Sequence, residues 1–99
     1  MFFLVTTKPN PVKPSTMQEH MAQFWEWIDP LVQDGTAKHV FTNVSRGAVI
    51  IFEVDSPEAM HKLINEWAEC MPTTFEVTLL LPRKVQERAA FAGTRPMKP

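Results

Sequence analysis

The chain has 99 residues, 44% of them hydrophobic and 21% charged, with a formal net charge of −1. That suits one small folded domain and leaves no room for a multidomain enzyme or a disordered chain. No apolar run approaches the ~20 residues of a membrane helix, and a lone cysteine, Cys70, excludes an intramolecular disulfide and a Cys-based zinc site.

The first seven residues, MFFLVTT, are apolar and β-prone, with no basic start and no long apolar core before Lys8. They read as a strand, not a signal peptide, and the expected location is cytoplasmic. Pro9, Pro11 and Pro14 then impose a stiff connection. Thr16 and Glu19 have capping-box spacing, so a helix is expected to follow. Met17, Met21, Phe24, Trp25, Ile28, Leu31 and Val32 form its apolar stripe. Pro30 predicts a kink or break near Asp29, and Gly35 is a candidate left-handed cap.

Residues 36–44 read as a second strand and Arg46-Gly47 as a tight turn. Residues 48–54, AVIIFEV, are apolar on both faces until Glu53, the pattern of a central strand covered on both sides. Ser56-Pro57-Glu58 is a helix start, and Met60, Leu63, Ile64, Trp67 and Met71 are the buried stripe behind it. Pro72 ends that helix, and residues 74–81 form a fourth strand closed by Pro82.

The order β-α-β-β-α-β predicts an α+β, ferredoxin-like domain over 1–82, a four-stranded antiparallel sheet with both helices on one face. Alternation assigns Ala48, Ile50, Phe52 and Val54, and Phe75, Val77, Leu79 and Leu81, to the helix side. The opposite faces carry Val49, Ile51 and Glu53, and Glu76, Thr78 and Leu80, and a second copy packed sheet to sheet would cover their apolar surface. At least a dimer is therefore expected. Residues 82–99 carry Arg83, Lys84, Arg88, Arg95 and Lys98 against Glu87, while the preceding part is acidic. The 83–99 tail is expected to pack on a neighbouring subunit rather than to bind nucleic acid.

Two stretches, Asp34-Gly35-Thr36-Ala37-Lys38-His39-Val40-Phe41 and Phe52-Glu53-Val54-Asp55-Ser56-Pro57-Glu58-Ala59-Met60-His61, resemble the muconolactone Δ-isomerase family. The resemblance follows the element order from Met1 to about Pro82. It implies a dimeric α+β barrel that forms homo-oligomers, with isomerisation of a small unsaturated lactone and no metal or organic cofactor. The family's aromatic-arginine pair in the second strand is here Phe41 and Thr42, so the arginine's bidentate grip on a carboxylate is lost.

Such chemistry needs a base beside a carbonyl and donors for the enolate. His39 is the first candidate base, because imidazole exchanges protons near neutral pH. It sits mid-strand on the same face as Ala37, Phe41 and Asn43, giving an apolar wall and an oxyanion donor. The competing reading is a histidine held at a dimer interface. Glu53 must be paired, protonated or wet, and is the second candidate. His20, on the flank of the first helix with Trp27, is the third. Trp25, Trp27, Trp67 and Thr7 complete the expected substrate site, indoles suiting planar conjugated ligands. His61 reads as solvated, Glu76 as an edge or inter-sheet residue, and Cys70 as a small buried apolar residue.

The expected function is a cofactor-free isomerase or cyclase acting by proton transfer on a planar unsaturated lactone- or polyketide-like substrate. A cofactor-independent monooxygenase of the same fold is one alternative. A non-catalytic ligand-binding or assembly module is the other, favoured if the pocket holds no titratable group.

Overall fold

A computed structural model describes residues 1–85 and residue 88. The expected packing of the 83–99 tail falls, apart from residues 83–85 and 88, outside the described residues. Strands β1 (Phe2–Pro9), β2 (Ala37–Thr42), β3 (Ala48–Glu53) and β4 (Thr73–Leu80) alternate with helices α1 (Gln18–Gln33) and α2 (Pro57–Cys70). A short 3-10 turn, Pro14–Met17, leads into α1. The sheet order is β2-β3-β1-β4, with every neighbouring pair antiparallel. This is the ferredoxin-like arrangement expected from the element order. No helix among the described residues is long and apolar enough to cross a membrane.

β1 and β3 are central because their side chains can be buried. Phe3, Val5 and Thr7 alternate inward on β1, and Ile50 and Phe52 do so on β3. They meet Phe24 and Ile28 of α1 and Met60, Leu63 and Trp67 of α2 in one core. The chain start is locked to the end of β3: the Met1 amino group donates to the Val54 carbonyl at 2.7 Å and the Val54 N–H returns to the Met1 carbonyl at 2.9 Å. α2 begins as the sequence indicates, with Ser56 Oγ accepting from the Ala59 N–H at 3.1 Å and Pro57 in the first turn.

Four expectations change. The Thr16–Glu19 capping box does not form: Thr16 Oγ1 donates backwards to the Lys13 carbonyl at 2.7 Å, because the chain enters α1 through the 3-10 turn. α1 does not break at Asp29 but runs through Pro30 to Gln33, and the Pro30 carbonyl still accepts from the Asp34 N–H at 3.0 Å. Beyond it Gly35 takes the expected left-handed conformation, φ +86°.

The third change is in β2. A bulge between Ala37 and His39 puts Ala37 opposite Phe52 and His39 opposite Ile51. Ala37 is therefore buried on the helix side, while His39 faces away from it, so the two do not share a face. The fourth change is in β4. Register with β1 puts Val77 and Leu79 on the helix side as expected, yet both are exposed, as is Leu81 just past the strand. The core lies over the other three strands and over β4 only at Phe75.

Candidate functional site

A cavity of about 230 Å³ opens between the helix side of the sheet, the start of α1 and the end of α2. Its floor is Thr7 on β1, Val40 and Thr42 on β2, and Ala48 on β3. Met17, Met21, Phe24 and Trp25 form the α1 wall, and Trp67 and Met71 the back. Pro9, Pro14, Arg46 and Gly47 complete the rim, with Phe41 beside them at the sheet edge.

The cavity exists because the floor is built of small residues at this end. Farther along the same face, Phe3, Ile50 and Phe52 fill the space beneath the helices. Here Thr7, Thr42, Gly47 and Ala48 do not reach across it. Gly47 must be glycine: its φ is +97°, and a Cβ there would overlap the Thr7 carbonyl oxygen. Arg46 beside it also has positive φ, +78°, a strained conformation for a large side chain. Asn43 closes this turn through its backbone, donating to the Gly47 carbonyl at 2.9 Å and accepting from the Arg46 N–H at 3.1 Å.

The polar side chains of the lining are few, and each can donate. Thr7 is buried, and its Oγ1 accepts from the Ala48 N–H at 2.8 Å, which leaves the hydroxyl proton to give. Trp67 is 1% exposed, and its indole Nε1–H has no hydrogen-bond partner. Most buried N–H groups are paired, so this orphan donor stands out. Arg46 offers a guanidinium at the rim, with Nη1 donating to the Val12 carbonyl at 3.1 Å. Thr42 adds a hydroxyl. No carboxylate or imidazole of the described residues lines the cavity. Nor is there, among the described residues, a group of three or more His, Cys, Asp or Glu placed to hold a metal ion.

Of the residues singled out in the sequence, Thr7, Phe41, Trp25 and Trp67 come together here. Trp27 lies behind them, its Nε1–H donating to Glu66 Oε1 at 2.9 Å and tying α1 to α2, and its ring 5.7 Å from that of Trp67. Asn43 belongs to the rim turn but not to the lining. His39 sits over the opposite sheet face, in a shallow depression with Lys38, Phe2, Ile51 and Leu80, its ring near-parallel to that of Phe41. Glu53 is exposed and paired with Lys38 at 3.1 Å, a surface ion pair of small energetic weight. His20 is held differently: Nδ1 donates to the Cys70 carbonyl at 3.1 Å, across the gap between the helices. His20 precedes lining residue Met21, and Cys70 precedes lining residue Met71. His61 and Glu76 are exposed.

The sequence did not single out Arg46, Met17, Met21, Ala48 or Met71 as site residues. The methionines read as ordinary core stripe and Arg46-Gly47 as a turn. The signal was there in the small pair Gly47-Ala48, but only the β1–β3 register reveals that it faces Thr7.

The fold and cavity define a small α+β domain of ferredoxin-like topology with an apolar, donor-bearing pocket between its helices and sheet. A family profile described as "Domain of unknown function (DUF3303)" matches residues 1–89, and the chain belongs to that family. No curated protein matches it by sequence. Solved structures sharing the fold include 5-chloro-2-hydroxyhydroquinone dehydrochlorinase (TftG) from Burkholderia phenoliruptrix AC1100, in complex with 2,5-dihydroxybenzoquinone. It is similar with a TM-score of 0.72 at 15% identity, over 86% of this chain and 98% of that one. Muconolactone isomerase is similar with a TM-score of 0.66 at 22% identity, over 83% and 90%. The resemblance to the isomerase family read from the sequence thus holds at the level of fold.

Proposed function

We propose that this cavity binds a planar, unsaturated, oxygen-bearing small molecule, and that the protein isomerises or cyclises it by proton transfer without metal or organic cofactor. The observation that carries this reading is the lining itself: aromatic and thioether walls around side-chain groups that can all donate. Flat conjugated molecules are favoured by the indole and phenyl surfaces. Carbonyl oxygens are favoured by Thr7 and Trp67, whose donors suit an oxygen that gains negative charge as an enolate forms. The two enzymes that share the fold act, by their names, on muconolactone and on 5-chloro-2-hydroxyhydroquinone. That supports a substrate of this general kind.

His20 is the base in this proposal, ahead of His39 and Glu53. None of the three lines the cavity; His20 is placed first because it and its partner Cys70 adjoin the lining residues Met21 and Met71, and its ring must turn toward the cavity to act. Donation from Nδ1 to a carbonyl leaves Nε2 of the neutral ring with its lone pair, the atom that would accept the proton.

The test is exchange of the α-proton of muconolactone, or of the ring protons of 2,5-dihydroxybenzoquinone, followed by NMR in D₂O. The expected result is enzyme-dependent deuterium incorporation that falls about 10²–10⁴-fold in His20→Gln, with unchanged secondary structure. Exchange that survives in His20→Gln removes the histidine from the mechanism. Binding without exchange, seen as quenching of Trp25 and Trp67 fluorescence, favours the non-catalytic ligand-binding reading, which the absence of acid and imidazole groups from the described lining supports. Oxygen consumption with phenolic substrates would instead favour the monooxygenase reading.

A further inference from the structure

We infer that Arg46 anchors the anionic end of the ligand, so that the cavity selects a flat unsaturated or aromatic acid, its carboxylate at the rim and its apolar body inside. The inference rests on the cavity being a small-molecule site and adds a charge requirement to it. Four observations carry it. Among the described residues Arg46 is the one cation in the lining, and no acidic side chain lines the cavity with it. Among the described residues no carboxylate pairs with its guanidinium. Only Nη1 is engaged, by the neutral Val12 carbonyl, which orients the group without neutralising it and leaves the remaining N–H donors available. The backbone at Arg46 has φ +78°, a conformation that glycine would adopt without strain.

A guanidinium at the mouth of an apolar cavity has a specific consequence. Its planar array of donors matches the two oxygens of a carboxylate, and the bond is charge-assisted at both ends. The interior behind it favours no second charge, because a buried ion without a partner is strongly disfavoured there. The ligand is therefore amphipathic in one sense only: acid outward, ring inward against Met17, Phe24 and Trp67.

The competing role for Arg46 is mechanical. Its bond to Val12 fastens the proline-rich connection over the β2–β3 turn, and losing that bond alone could open the cavity. A matched pair of probes separates the two. Binding of 2-naphthoate and of the similarly sized, uncharged 2-naphthalenemethanol is followed by quenching of tryptophan fluorescence, in the unmodified protein and in Arg46→Gly, Arg46→Ala and Arg46→Lys. Thermal unfolding of each variant is measured in parallel. Arg46→Gly relieves the backbone strain, so a folded protein lacking the side chain is expected.

The expected result is that naphthoate binds about ten- to a hundredfold more tightly than the alcohol, as a charge-assisted contact implies. That preference should vanish in Arg46→Gly and Arg46→Ala and persist in part in Arg46→Lys. It should also shrink as salt is raised. Equal binding of both probes with no effect of Arg46→Gly overturns the anchor while leaving the cavity as a ligand site. Equal weakening of both probes in Arg46→Gly overturns it in favour of the mechanical role. Binding of neither probe overturns the anchor together with the cavity reading.

Discussion

Cys70 shows how little a side chain's identity says before its surroundings are known. Its thiol is half-buried beside the end of α2, and burial pushes its pKa up, with the carboxylates of Glu66 and Glu69 adding to the effect. The thiolate is the reactive form, so an unreactive cysteine is expected at neutral pH. Alkylation of Cys70 by iodoacetamide at pH 7.5 should be slower than that of a small free thiol, and Glu69→Gln should accelerate it. Labelling at the free-thiol rate would contradict this environment. The sequence reading of Cys70 as a small buried apolar residue holds only in part, because the side chain is half-buried. Glu53 was legible: a carboxylate in an apolar strand had to find water or a cation, and it finds both, with Lys38 at 3.1 Å. Trp67 was legible only in part. Its place on the α2 stripe identified it as core, but nothing in the pattern marked its Nε1–H as unpaired.

At the scale of elements, the β2–β3 turn controls the cavity. Gly47 is pressed against the β1 backbone at Thr7 and has a conformation that L-residues rarely adopt. Gly47→Ala must either push β1 and β3 apart or move the turn, and both break the bond from the Ala48 N–H to Thr7 Oγ1. Strained left-handed backbone costs about 1–3 kcal/mol, and the overlap with a carbonyl adds to it. A loss of at least about 2 kcal/mol in urea unfolding is expected, together with lost ligand binding. A variant of unchanged stability would mean that this turn is looser than its contacts imply. The elements themselves were legible because period and punctuation agreed: Ser56-Pro57 began α2, Pro72 ended it, and Gly35 capped α1. What the pattern did not carry was the bulge at Lys38. One extra residue in β2 reverses which side chains face the helices, and nothing in Ala37-Lys38-His39 marks it. The grouping of His39 with Ala37 failed for that reason. The passage of α1 through Pro30 was illegible for a different one: helix packing over the core outweighs a local breaker near the helix end.

At the scale of the whole molecule, one sheet face has no covering layer among the described residues. Phe2 and Leu4 of β1, Val49 and Ile51 of β3, and Leu80 of β4 line it, none of them fully buried, with Phe41 exposed on β2 at its edge. A continuous apolar surface of this kind is unusual on a monomer. We propose that a second copy covers it sheet to sheet, the assembly expected from the strand alternation. Ile51 is the residue to test, because it sits at the middle of this face, opposite Leu4 on one side and His39 on the other. Ile51→Lys would place an ammonium between two apolar sheets with no carboxylate opposite it in register, and desolvating an unpaired charge costs several kcal/mol. Light scattering should report a dimer or larger for the unmodified protein and a monomer, or insoluble protein, for Ile51→Lys. Val32→Lys, which puts the same charge on an exposed position of α1, should leave the mass unchanged. Because the cavity lies on the other side of the sheet, a soluble Ile51→Lys monomer should still bind 2-naphthoate. A dimer that survives Ile51→Lys, or an unmodified protein that is already monomeric, would show that this face meets water and not its own copy.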